Sequence, residues 1–115
     1  MEAERIKDAK DRLIKSGNNT LEQKKKAKEE YDKQVEFGFV ESNTSFEQWV
    51  SQNYPALTAG YQDYAAANGA YTQTLMQFDQ QAGQAWQQKL RDNQRELLKS
   101  QDSYEKAFSV VLPDN

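Results

Sequence analysis

Asp63 and Asp79 are the only acids between Pro55 and Gln88, and they stand sixteen residues apart. On one helix that spacing is about 24 Å, too far to share a proton or a metal ion unless a second element supplies another ligand. The chain has no His and no Cys, which removes the usual general base, the commonest transition-metal ligand and thiolate chemistry. No Glu-x-x-His pair, Gly-rich phosphate loop or calcium loop occurs. The expectation is a protein without catalytic residues, metal or cofactor.

Other residue groupings have a chemical and a plain reading. Tyr54, Tyr61, Tyr64 and Tyr71 could form a stacking surface for a ligand. At helical spacing they read better as rings buried in a helix pair with hydroxyls at the rim. Lys24-Lys25-Lys26-Ala27-Lys28 resembles a nucleic-acid patch, but Glu29, Glu30 and Asp32 follow at once and the net charge is −3. A salt-paired, solvated helix face is expected there, and no nucleic-acid partner. Asn18-Asn19-Thr20 and Asn43-Thr44-Ser45 match the N-glycosylation acceptor, although Thr20 and Thr44 also read as helix caps.

The elements that must carry these residues follow from charge and period. Residues 1 to 40 hold ten basic and nine acidic side chains, and residues 89 to 115 hold five of each. Between them, the forty-eight residues 41 to 88 contain no Lys or Arg, yet hold eight of the thirteen aromatics and ten glutamines. A helix of that makeup must pack against something. Leu, Ile, Val and Phe number only twenty, so the aromatics must supply much of the core. A single domain of 115 residues is expected, whole or cut from a longer chain.

Ala3, Ile6, Ala9 and Leu13 recur every three or four residues and predict a helix over about 2–16, stopped at Ser16-Gly17. Thr20 stands three before Gln23, a capping box that starts a second helix, 21–37, carrying Leu21, Ala27, Tyr31 and Val35. Gly38 ends it, and Phe37–Val40 could be an extended piece pairing with Val110–Leu112. Thr44 and Glu47 form another box, opening a short helix over 45–53 with Phe46, Trp49 and Val50 on one face. Trp49 should pack that helix onto its long neighbour. Pro55 ends the short helix and suits the first turn of the next.

From there Leu57, Tyr61, Tyr64, Asn68, Tyr71, Leu75, Phe78 and Ala82 alternate steps of four and three, and two further steps of four lead through Trp86 to Leu90. The spacing predicts one long helix over about 55–109, with a break at Asn68-Gly69 as its competitor. Gly60, Gly69 and Gly83 would be notches where another helix approaches closely. The fold expected is all-α: an elongated helical bundle or coiled coil, with the long helix packed by the two N-terminal helices and the short one.

The function expected is a non-enzymatic protein-interaction or assembly module. Its partner, a second copy or another helix, would bind along Leu57, Tyr61, Tyr64, Tyr71, Leu75, Phe78 and Trp86. The alternative is a secreted or membrane-active, pore-forming or toxin-like helical domain. That reading lacks the Lys or Arg that interfacial helices usually carry on their polar face. The Trp-x-Gly turn of small secreted helical hairpins is absent, because Trp49 precedes Val50-Ser51 and Trp86 precedes Gln87-Gln88.

Overall fold

The computed structural model describes residues 2–41 and 43–114. They form five helices and, among the described residues, no strand: α1 (Glu2–Glu36), α2 (Phe46–Asn53), α3 (Pro55–Phe78), α4 (Gln80–Lys99) and α5 (Ser103–Lys106). The all-α, elongated bundle anticipated from the pattern is what forms. Its extents are 54 × 27 × 20 Å and its radius of gyration 16.3 Å, against about 13 Å for a compact chain of this length. Its accessible surface of 7762 Å² likewise exceeds the roughly 6,500 Å² of a compact protein of this mass.

The helix ends predicted at Ser16 and Thr20 do not exist, because α1 runs unbroken for 35 residues. Gly17 keeps a negative φ, so it makes no left-handed stop. Thr20 caps nothing: its hydroxyl donates to Ser16 O at 2.8 Å, one turn back, and to Gly60 O at 2.9 Å on α3. Tertiary burial overrides both stop signals, since Gly17 and Thr20 lie on the buried face with Leu13 and Ala27. The helix ends instead at Gly38, whose φ of +78° is the conformation glycine adopts without steric cost. Gly38 N donates to Val35 O and Phe39 N to Gln34 O, the paired bonds of a Schellman close.

The second correction concerns the 55–109 helix. It stays continuous through Asn68-Gly69, then breaks at Asp79 (φ −152°, ψ 81°), the single residue between α3 and α4. The chain reverses there. The Asp79 carboxylate accepts from Ala82 N and caps α4, while Trp86 turns back onto α3, edge-on to Tyr71 with ring centroids 5.3 Å apart. The reversal thus falls between Phe78 and Ala82 of the seam, and the two steps of four from Ala82 through Trp86 to Leu90 lie within α4. Helix α4 ends at Lys99, and the described residues beyond it are non-helical apart from α5.

Smaller features follow the same logic. The capping box of α2 is Ser45 with Gln48, one residue later than Thr44 with Glu47. Pro55 occupies the first turn of α3 as its ring geometry favours. The proposed pairing of Phe37–Val40 with Val110–Leu112 does not form. The first segment is the turn at Gly38, and the second lies on the helices, where the Tyr64 hydroxyl binds Val111.

Two buried clusters hold the bundle. Leu13, Tyr64, Ala67, Tyr71, Leu75 and Trp86 form the first, where α1, α3 and α4 run side by side. The second, Ala27, Phe46, Trp49, Val50, Leu57 and Ala107, joins α2 and the α5 turn to α1 and α3. Trp49 does pack the short helix onto its neighbours, and its indole N–H donates to Gln34 Oε1 at 3.2 Å. Two of the three notches are used within the chain. Gly60 faces Asn19 and Thr20, Gly83 faces Met76, and Gly69 faces nothing within 4 Å.

Candidate interaction surface

The seven seam residues are brought together, and what they meet is their own chain. Leu57, Tyr64, Tyr71, Leu75 and Trp86 are buried. Leu57 belongs to the cluster with Trp49 and Val50, the other four to the cluster with Leu13. The Trp86 indole N–H donates to Asn68 Oδ1 at 3.0 Å and Thr72 Oγ1 at 3.1 Å, so its one polar atom is satisfied inside the hairpin. Tyr61 and Phe78 are half-buried. Tyr61 stands edge-on to Phe108 at 5.5 Å, and the Arg5 guanidinium lies 5.5 Å over the Phe78 ring. Burial pushes the Tyr64 phenol above its ordinary pKa, partly offset by the bond from Val111 N, and burial alone does the same for Tyr71.

The exposed apolar surface lies elsewhere. At the Gly38 turn, Phe37 is 66% and Phe39 79% exposed, with ring centroids 6.3 Å apart. Val35, on the last turn of α1, is exposed beside them. In a Schellman close the residue after the glycine usually folds its side chain back onto the helix. Here that residue is Phe39, and the one it would meet is Gln34, so the ring stays in solvent. The turn geometry therefore presents two phenylalanines outward from a rigid helix end.

The chain flanking this tip is acidic. From Glu29 to Glu47 there are six carboxylates, Glu29, Glu30, Asp32, Glu36, Glu41 and Glu47, against the single cation Lys33. All are exposed. A cleft of about 280 Å³ lies at the base of the tip, lined by Gln34, Phe39, Val40, Glu41 and Trp49 among others. Next to it, a cleft of about 490 Å³ opens between Tyr31, Ser45, Phe46, Glu47 and Tyr104. Its aromatic floor is knitted together: Phe46 and Tyr104 are 5.1 Å apart, Tyr31 and Phe46 5.5 Å.

Two titrating groups flank that floor. The Tyr104 hydroxyl donates to Asp32 Oδ1 at 2.7 Å, and burial, then the Asp32 carboxylate, drive its pKa upward. Lys24 is pulled below its ordinary value by burial, which the carboxylates of Asp102, Glu105 and Glu47 partly offset. Among the described residues no group of three or more His, Cys, Asp or Glu side chains converges as a metal site would require. No described helix is long and apolar enough to cross a membrane.

The sequence pattern points to the buried seam and not to the tip, where Phe37–Val40 is expected as an extended piece pairing with Val110–Leu112. The signal was present: two phenylalanines straddle the glycine that ends a charged helix, at a point where nothing apolar stands three or four residues earlier except Val35. Comparison of the chain with protein-family models, curated proteins and solved structures finds no match.

Proposed function

We propose that this chain is a non-enzymatic helical interaction module that docks through the Phe37–Phe39 tip onto a partner protein carrying an apolar pocket with a basic rim. The observation that carries this reading is the pair of exposed rings held by the Gly38 close. Aromatic side chains that fill a partner's pocket supply most of an interface's affinity, and a pre-set turn lowers the ordering cost of docking them. The acidic flank gives the sign of the partner. It repels anionic lipid headgroups and steers a basic protein surface toward the rings.

The test places a photo-crosslinking benzoylphenylalanine at position 39 in the cells that make the protein, with position 62 on the exposed face of α3 as control. A specific protein adduct from position 39 that disappears with Phe37→Ser supports docking. Equal adducts from both positions refute it. Co-sedimentation with neutral vesicles that Phe37→Ser abolishes would assign the tip to lipid instead, the membrane-active alternative.

A further inference from the structure

The C-terminal segment after α5 crosses the helices as an extended strap, and the way it is held is that of a bound peptide. The Tyr64 hydroxyl takes both backbone groups of one residue: Val111 N donates to it at 2.8 Å and it donates to Val111 O at 3.0 Å. The next carbonyl, Leu112 O, accepts from Lys89 Nζ on α4 at 2.8 Å, and the same ammonium reaches Asp114 Oδ1 at 3.1 Å. On the α1 side, Leu112 and Val110 fill the notch at Gly17. A Cβ there would collide with Leu112 Cδ2 and stand 3.1 Å from Val110 Cγ1. Ser109 Oγ donates to Asn93 Oδ1 at 3.2 Å.

Each of three helices thus contributes a distinct recognition element: α1 a pocket for aliphatic side chains, α3 a hydroxyl that pairs with an extended backbone, α4 a cation for the carbonyl that follows. Recognition by main-chain bonds plus side-chain pockets is how extended peptides are bound elsewhere. The strap joins α5 through Phe108, whose φ of +51° is a left-handed conformation that strains a bulky residue. That strain is released when the strap leaves. The strap follows α5, so it can depart without unwinding a helix.

We infer that the groove between α1, α3 and α4 is a peptide-binding site that exchanges its own strap, Ser109–Asp114, for the same segment of a second copy, giving a reciprocally strapped dimer. The trans complex repeats every contact of the cis one, so the two differ mainly in chain entropy and hinge strain, the condition under which segments swap at low cost. The cis strap acts at a high effective concentration, so exchange is favoured at high protein concentration. This surface is separate from the tip and does not depend on the docking proposed above.

The chain has no cysteine, which permits a direct test in full-length protein. Asn93→Cys and Ser109→Cys chains are refolded together at several hundred micromolar and oxidised. Exchange predicts a disulfide-linked heterodimer at least tenfold above that formed by Asn93→Cys with Leu98→Cys, a site 79% exposed. Adding Val110→Ser to the Ser109→Cys chain should reduce it severalfold by removing an apolar anchor without touching the groove. A single chain carrying both cysteines, oxidised when dilute, should close an internal disulfide. A heterodimer yield no higher than the control refutes exchange. Failure of the internal disulfide refutes the cis seating on which exchange rests.

Discussion

Around Leu13 and Trp86, the core is made where three long helices lie together; around Ala27 and Phe46, it is made by an eight-residue helix, a four-residue turn and a strap hinge converging on α1 and α3. In the first region, two large side chains close their polar atoms within the helices and strap: Trp86 onto Asn68 and Thr72, Tyr64 onto Val111. In the second, rings contact rings across elements distant in sequence, Tyr31 with Phe46, Trp49 and Tyr104, and Phe46 with Phe108. The lesson is that helix periodicity builds one end of this rod and long-range aromatic packing the other. The exposed tip belongs to the second end, beside the less continuous scaffold.

The strongest way to break the comparison is to truncate one tryptophan in each core. Either Trp86→Ala or Trp49→Ala should cost about 3–5 kcal/mol. Trp86→Ala should lower the urea midpoint of the whole molecule. Trp49→Ala should strip hydrogen-exchange protection from α2 while α3 and α4 remain protected. Loss of protection everywhere in both variants would show one cooperative core in place of two.

Thr20→Val tests the seam between the regions, since Thr20 is fully buried and bonds to both helices that link them. Loss of those bonds should cost about 1–3 kcal/mol, read in the same urea titration, without changing the slope. An unchanged midpoint would show that the hydroxyl is dispensable.

Alkaline pH acts on both ends through phenols. Tyr64, Tyr71 and Tyr104 have folded pKa values above the ordinary 10.0. The unfolded chain therefore loses these protons first. Their stabilisation is complete below pH 10 and falls as pH rises through the folded values. Lys24, lowered from 10.5, works in the opposite direction just below that value. Thermal midpoints should thus drop above pH 10, less steeply in Tyr64→Phe than in the wild type; equal slopes would remove Tyr64 from the account.

The smallest expected effect has the opposite sign. Gly69 is exposed, helical and has open space where a Cβ would stand, so Gly69→Ala should stabilise by up to about 1 kcal/mol. The same change at Gly83 should destabilise, because the new Cβ would stand 2.5 Å from Met76 Sδ and 3.1 Å from Met76 N. These two helical glycines would then separate into one needed for close approach and one that is not.

The legibility of the sequence divides along the same line. The face of α3 and the restart at Pro55 were readable because each is set within a few residues by period or ring geometry, and Trp49 because it lies on the one apolar face of a short helix. Gly17 and Thr20 misled because their local signals say stop, whereas the strap and Gly60, some forty or more residues away, decide their roles. Asp79 was hidden because the seam keeps its phase across the reversal: Phe78 and Ala82 are spaced as on one helix, though a non-helical residue lies between them. The seam itself was found correctly as apolar, and its occupant is the chain's own α1, α4 and strap.

The one-residue link at Asp79 also sets an order of events in folding. Joining α3 to α4 closes a very short loop, whereas docking α1 on α3 through Thr20 and Gly60 spans forty residues, and shorter closures cost less entropy and occur sooner. The hairpin of α3 and α4 should nucleate the fold, although α1 leaves the ribosome before either of them. In pulse-labelled refolding, amides around Tyr71 and Trp86 should gain protection before those around Leu13; the reverse order would place the nucleus on α1. Of these three helices, the one synthesised earliest would then be the one that waits.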